Sequence, residues 1–340
     1  MSDDRYSRQT LFTPIGEKGQ QKLAEKHVLI IGLGALGSGS AEILARSGVG
    51  ELTIVDRDYI EWSNLQRQQL YTETDAKNRL PKAIAAKRHL ETINSEITIN
   101  AHVLDVTPEE MEKLIVGVDL MLDATDNFDI RMIMNDISQK HQIPWIYGSI
   151  VGSYGITYTI MPGEKPCLYC VMNGVPSGGQ TCDTVGVISP VVGMVIMHQT
   201  VEALKYLTEN YSAMRQEIHS FDLWTNEQSK INVSRLKKPD CPSCGENPTY
   251  PFLQYDNQLK SAVLCGRDSV QIRPPKNETR DLKALAKALK KTGGKIELNP
   301  FLLSYTVDNQ RLVLFADGRA IIHGTKDIEQ ARTLYHRYFG

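Results

Sequence analysis

Three groups of residues in this chain have the types and spacing to do chemistry. The first is Gly32-x-Gly34-x-x-Gly37, set directly after an apolar run at 28–31 and followed by Asp56 at the end of a second run, 52–55. Glycines at that spacing let the backbone turn tightly and let a polyphosphate approach the N-terminus of the next helix. Asp56 stands at the distance expected for a ribose hydrogen bond. The pattern indicates a nucleotide but does not separate NAD, FAD and ATP. The second group is Ser63, Asn64 and Arg67, with Lys82 opening the next helix. Such a cluster can neutralise a triphosphate and the charge that builds on a leaving pyrophosphate. The plain alternative is a solvated loop with incidental charges. Beyond it, Asp123-Ala124-Thr125-Asp126-Asn127 ends a further apolar run. Ligands of open α/β sheets sit at such strand ends. Asp126 could hold Mg²⁺ against phosphates, or Asp126 or Asn127 could cap the helix that follows.

The third group is Cys167-x-x-Cys170 and Cys241-x-x-Cys244. Two close thiolate pairs suit a tetrahedral Zn²⁺. The pairs stand roughly 70 residues apart, far more than in a one-piece zinc ribbon, so the fold itself must join them. A structural zinc is expected, with a redox dithiol as the alternative. Cys182 lies in a Gly/Ser-rich loop and could carry a thioester or persulfide if exposed; an incidental thiol is the other reading. Cys265 reads as buried packing.

These residues need elements to position them. Runs at 28–31, 52–55, 97–103, 118–122 and 144–150 read as strands. They alternate with helices at 36–46, 81–94, 107–110 onward (a Thr107-x-x-Glu110 capping box) and 128–139. That rhythm implies a doubly wound, mostly parallel Rossmann-like sheet covered on both faces. At 152–160 the pattern becomes polar–apolar alternation, so antiparallel strands are expected at one end of the sheet. A loop at 173–186, a long helix at 190–207 and a hairpin of 217–223 with 229–233 follow. Residues 1–26 read as an amphipathic lead-in in which Tyr6, Leu11, Phe12 and Ile15 pack. A boundary near Pro248 divides the chain into 1–248 and a small α+β module, 249–340. The module holds a strand at 262–272, a helix at 282–290, a hairpin around Asp317-Gly318 and a helix at 327–338.

Composition excludes several classes. The chain has 340 residues, 41% of them hydrophobic, and a formal net charge of −2. There is no basic footprint for nucleic acid and no polybasic membrane arm. The polar N-terminus shows no signal peptide, and the run from 191 is too short and too interrupted to span a bilayer. A cytoplasmic enzyme is expected.

Taken in order, Arg5-Tyr6-Ser7-Arg8-Gln9, the glycine turn, Asp56-Arg57-Asp58, Ser63-Asn64-Leu65-Gln66-Arg67-Gln68, Pro81-Lys82, Asp126-Asn127 and the two CxxC pairs resemble the MoeB/ThiF family. These are bacterial relatives of the ubiquitin-activating enzymes. The resemblance covers about residues 5–247 and implies MgATP-dependent adenylation of the C-terminal glycine of a ubiquitin-like sulfur carrier of the MoaD or ThiS type, ending in Gly-Gly. It implies a nucleotide set of Gly32, Gly34, Ala35, Gly37, Asp56, Asp58, Ser63, Asn64, Leu65, Gln66, Arg67, Lys82, Asp126 and Asn127. Asp56 takes the ribose; Ser63, Asn64, Arg67 and Lys82 take the phosphates; Asp126 is the essential acid. Arg8 is expected to reach the partner subunit's ATP in a homodimer. Cys182 falls where some relatives carry a sulfur-transfer cysteine, and a cysteine desulfurase or rhodanese-type donor supplies the sulfur. Ala35 departs from the glycine that relatives often carry. Two other functions stay open at this point: an NAD-dependent oxidoreductase, against which the absence of a His–acid relay argues, and a non-catalytic zinc-stabilised adaptor.

Overall fold

The structure is a computed structural model that describes residues 5–172, 185–254, 261–263, 268–273, 279–307 and 310–339. The chain splits into two compact units, the second beginning in the main at Gln258.

The first unit is built on an eight-stranded sheet. Its strands are β1 (His27–Ile31), β2 (Glu51–Asp56), β3 (Thr98–Val103), β4 (Leu120–Asp123), β5 (Trp145–Val151), β6 (Tyr154–Ile160), β7 (Ile218–Asp222) and β8 (Glu227–Ile231). The spatial order is β3-β2-β1-β4-β5-β6-β7-β8. The first five strands run parallel, and β6 to β8 add on antiparallel. The connection from β1 leads outward to β2 and β3, and the chain then returns to β4 on the other flank. The carboxyl ends of β1 and β4 therefore form the switch point where open α/β sheets hold ligands.

Both faces of the sheet are covered. Val28 and Ile30 belong to one core cluster and Leu29 and Ile31 to the other. A strand buried on both faces reads as the continuous apolar run seen in the sequence. Helices α1 (Ser7–Thr10), α2 (Gly16–Ala24), α3 (Ala35–Arg46), α4 (Glu73–Lys77), α5 (Lys82–Ile93), α6 (Pro108–Leu114), α7 (Phe128–His141), α8 (Leu168–Met172) and α9 (Ser189–Leu207) complete the described helices of this unit. Helix α3 ends where the sequence places its stop: Gly48 takes φ +78, the left-handed conformation that glycine adopts without strain.

Three local expectations change. Leu11 and Phe12 are 70% and 59% exposed. Residues 7–10 form one helical turn and no longer stripe, so the packing face leaves these two out, while Tyr6 and Ile15 are half-buried and the Tyr6 hydroxyl accepts the Asn94 amide at 2.8 Å. Thr107 does cap α6, accepting the Glu110 N–H at 3.2 Å, but the Glu110 carboxylate pairs with Lys113, leaving half a capping box. The single strand expected over 262–272 is two antiparallel strands, β9 (Ser261–Val263) and β10 (Ser269–Ile272). Folding back lets both halves exchange main-chain hydrogen bonds.

The second unit is a six-stranded antiparallel sheet of β9, β10, β11 (Lys295–Leu298), β12 (Leu302–Val307), β13 (Gln310–Phe315) and β14 (Ala320–His323), in the order β11-β12-β13-β14-β10-β9. The hairpin at Asp317-Gly318 joins β13 to β14, with Gly318 at φ +83. Helices α10 (Leu282–Leu289) and α11 (Ile328–Phe339) share a core with Val270, Leu303, Leu312 and Ile322. Strands β11 and β12, split by Asn299-Pro300, were not evident from periodicity.

Candidate functional site

The site begins at the glycine turn between β1 and α3. Gly32 has φ +90, and a Cβ there would meet the Ala124 carbonyl oxygen at 2.6 Å. A Cβ on Gly37 would lie 1.9 Å from the Gly32 carbonyl oxygen. Gly34 differs: a Cβ would meet only the Gln68 amide, at 3.8 Å. Two glycines thus serve turn and packing, while the middle one leaves open space above the N-terminus of α3, where free main-chain N–H groups favour an anion.

Asp56 braces that turn. Its Oδ2 accepts the Leu33 N–H at 2.6 Å and its Oδ1 accepts the Asp58 N–H at 2.6 Å. Burial pushes its carboxyl above the usual range, and the Lys82 ammonium opposes the rise. The Tyr71 hydroxyl donates to the Leu33 carbonyl at 2.8 Å. These contacts hold the turn rigid before any ligand arrives.

The polar segment lies against the head of α5. The Lys82 N–H donates to the Asp58 carbonyl at 2.9 Å, and the Ile60 N–H to the Leu80 carbonyl at 2.9 Å. Lys82 Nζ is 3.6 Å from Asp58 Oδ2, with the lysine side chain 5% exposed. Asn64 is buried, and its Oδ1 accepts the Glu61 N–H at 3.0 Å. Arg67 Nη1 donates to the Ser63 carbonyl at 2.9 Å. Ser63 and Gln66 are exposed, and Leu65 is half-buried. Ala35 is the first residue of α3. Gln68 was missed as a site residue by the sequence reading. It is buried beside Gly34, and its Oε1 has no partner among the described residues. Its signal was its place in the same polar run.

The loop after β4 closes the site. The Ala124 N–H donates to the Ile31 carbonyl at 2.9 Å, tying this loop to β1. Asn127 caps α7, its Oδ1 accepting the Asp129 and Ile130 N–H groups at 2.8 and 3.3 Å. That settles which of the two neighbours caps the helix and leaves the Asp126 carboxylate exposed. Arg57 and Arg131 both feel its charge. Asp123 is fully buried, and its Oδ2 accepts Arg131 Nε at 2.9 Å. Burial pushes its carboxyl up and Arg131 pulls it back.

Arg8 is not brought to this site within one chain. It is exposed on α1. Its neighbour Gln9 donates to the Ser47 carbonyl at 2.9 Å, at the C-terminal end of α3. The glycine turn lies at the other end of that helix, roughly 18 Å away at 1.5 Å per residue. Cys182 and Cys265 lie outside the described residues.

The four expected cysteines come together as a candidate metal centre. Their sulfurs all lie within 4.8 Å of one another. Cys167 and Cys241 are 3.7 Å apart, and Cys170 and Cys244 3.5 Å. Ligands at 2.3 Å on a tetrahedral zinc would be about 3.8 Å apart, so the residues present fit that ion. Hydrogen bonding, chiefly from Cys167, holds the Cys244 thiol down, and burial pushes the Cys170 thiol up. Helix α7 supports the cluster from behind: Asn135 Oδ1 accepts the Leu168 N–H at 2.7 Å, and Asp136 Oδ2 accepts the Phe252 N–H at 2.9 Å.

Comparison with known proteins agrees with this geometry. The sequence model of the ThiF family matches residues 6–243. The chain is 52% identical over 336 residues to the sulfur carrier protein ThiS adenylyltransferase of Bacillus subtilis, covering 99% of each chain. That likeness therefore runs through the second unit as well. It is 33% identical over 245 residues to the SAMP-activating enzyme E1 of Haloferax volcanii, covering 72% of this chain and 89% of that one. It is likewise 33% identical over 243 residues to the molybdopterin-synthase adenylyltransferase of Salmonella typhimurium, covering 71% of this chain and 96% of that one. Among solved structures, Escherichia coli MccB superimposes with a TM-score of 0.63 at 24% identity, covering 73% of this chain and 74% of that one, a likeness of fold. The chain belongs to the ThiF family, within the MoeB/ThiF type of sulfur carrier adenylyltransferases.

Proposed function

We propose that this adenylyltransferase uses MgATP to adenylate the C-terminal glycine of a ThiS-type sulfur carrier ending in Gly-Gly, releasing pyrophosphate. The observation that carries the reading is the open glycine turn at Gly34 with Gln68 of the polar run beside it, together with the buried Lys82 paired to Asp58 and the exposed Asp126 carboxylate in the loop after β4. The likeness to the Bacillus ThiS adenylyltransferase over nearly the whole of both chains favours that carrier type over a MoaD type.

A carboxylate is a poor acyl donor because oxide leaves badly. In the proposed step a carrier carboxylate oxygen attacks the α-phosphorus. The bond from that phosphorus to the bridging oxygen breaks, and pyrophosphate departs with the electron pair. The nucleophile is already ionised, so the site needs no general base. Positioning and charge stabilisation then supply the catalysis. The N-terminus of α3 and Gly34 receive phosphate oxygens, Asp56 takes the ribose, and Asn64, Arg67, Ser63 and Lys82 take the β- and γ-phosphates. Asp126 acts at the α-phosphate or would hold Mg²⁺, which would supply neutralising charge. Arg8, remote within its own chain, serves the partner subunit's nucleotide in a homodimer. A persulfide sulfur on a cysteine desulfurase or rhodanese-type donor, or relayed onto Cys182, then attacks the acyl carbon of the adenylate and expels AMP. A second thiol attacks the cysteine sulfur of the resulting acyl disulfide, closing a disulfide and freeing the carrier thiocarboxylate. Zinc at Cys167, Cys170, Cys241 and Cys244 supplies a structural clamp. Residues 1–248 carry this activity, and the protein works in the cytoplasm.

The test is ATP–pyrophosphate exchange with purified ThiS-type and MoaD-type carriers. Exchange that depends on the terminal Gly-Gly supports the proposal. No exchange with either carrier under MgATP rejects it.

A further inference from the structure

Arg131 has no part in the chemistry above, yet it is a largely covered cation that feels the charge of Asp126. Its side chain is 11% exposed. Nε donates to Asp123 Oδ2 at 2.9 Å; Nη2 donates to the Thr125 carbonyl at 2.6 Å and to the Gly148 carbonyl on β5 at 3.0 Å. The guanidinium also lies over the Tyr147 ring, 5.0 Å from its centroid. One planar group thus joins the end of β4 and the middle of β5 to the loop between β4 and α7.

The loop is gripped on both sides of Asp126. Asp123 Oδ1 accepts the Thr125 N–H at 2.9 Å. The Thr125 hydroxyl lies 3.0 Å from that same oxygen and 3.2 Å from the Asn127 carbonyl. Thr125 is the residue just before Asp126, and its carbonyl belongs to the peptide that carries Asp126. From the far side, Gln199 on α9 donates to the Asp123 carbonyl at 2.7 Å. The backbone around Asp126 is therefore fixed by buried groups, while the Asp126 carboxylate itself stays exposed.

We propose that Arg131 is a positioning residue for adenylation: it fixes the pose of Asp126 by holding the Thr125 and Gly148 carbonyls in one plane. The inference rests on Asp126 being the catalytic acid. A lysine keeps the charge but cannot span three acceptors with a rigid fork. Misplacement of a reacting group by about 1 Å can cost 10²-fold in rate.

The experiment measures carrier-dependent pyrophosphate exchange, nucleotide affinity without turnover, and thermal melting for the full chain. The variants are Asp126→Asn, Arg131→Lys, Asp123→Asn with Arg131→Met, and Asp126→Asn with Arg131→Lys. Removing Asp123 and Arg131 charges together avoids an orphaned buried carboxylate. That pair is expected to melt near the wild type and bind nucleotide within about threefold, with kcat down about 100-fold and KM for the carrier little changed. Arg131→Lys is expected to lower kcat about 10-fold in the native background and to have no further effect on Asp126→Asn, the signature of two residues acting as one unit. Native kcat in Arg131→Lys, or a full additive loss on top of Asp126→Asn, overturns the inference while leaving the adenylation reading intact. Full exchange by Asp126→Asn rejects the catalytic reading of Asp126 and this inference with it.

Discussion

At the scale of residues, the site separates groups that build from groups that face outward. Gly37 and Gly32 build: their missing Cβ atoms are occupied by main chain. Gly37→Ala is expected to destabilise the protein by about 1–3 kcal/mol through overpacking, read as a lower urea midpoint, and to weaken nucleotide binding with it. A native midpoint would show that α3 shifts freely. Lys82 is buried and is proposed to take the phosphates. Lys82→Ala should lower kcat/KM for exchange by roughly 10²–10³-fold, the size seen when one charge-stabilising group is lost. An effect below tenfold would place the leaving pyrophosphate elsewhere. His198 supplies a pH dependence away from the site. Burial, then the charge of Arg215, lowers its pKa to about 4 from 6.5. Arg215 Nη2 lies 3.0 Å from His198 Nδ1, which suits a neutral ring accepting that bond. A lowered folded value makes the neutral ring's contribution complete above pH 6.5 and lost as pH falls toward 4. Stability is expected to decline across that window, and His198→Gln to flatten the decline, as read by urea melts at stepped pH.

At the scale of elements, α7 links the two functional regions of the first unit. Its N-terminal turn holds Asn127 and Arg131 at the β4 end, and two turns later Asn135 and Asp136 hold the cysteine knuckle and the segment at Phe252. Asn135→Ala leaves the buried Leu168 N–H without its acceptor. The expected cost is about 1–3 kcal/mol, with faster zinc release to a coloured chelator. Unchanged release would mean that the knuckle holds its shape without α7. Zinc removal itself should lower the melting temperature by several degrees, as should Cys170→Ser, because four crowded thiols lose the ion that joins Cys167–Cys170 to Cys241–Cys244. An identical melt with and without metal would reject a structural clamp.

At the scale of the whole molecule, the reach of legibility differs between the two units. In the first, apolar runs such as 28–31 are buried on both faces of a parallel sheet, so periodicity and glycine punctuation located nearly every strand and helix. In the second, β11 and β12 interrupt their apolar pattern with Glu297, Ser304 and Asn299-Pro300. Their identity depends on cross-strand pairing such as Leu298 with Leu303, which no local pattern carries. The short helix Glu73–Lys77 escaped for a related reason, being fixed by its cap at Thr72 and by Asp75.

The sequence by itself determined the glycine turn, the polar run ahead of α5 and the two cysteine pairs, because each is a local spacing with a local physical consequence. The structure was needed for everything that depends on distant segments meeting. It joined the two knuckles across 74 residues, gave the helix cap to Asn127 and freed Asp126, and placed Gln68 beside Gly34. It also revealed Arg131 as the buried fork between β4 and β5. A hydrogen bond between Arg131 and Gly148 has no signature in either residue's neighbourhood. It exists only because parallel pairing sets the middle of β5 beside the residues at the end of β4, where a single guanidinium reaches both.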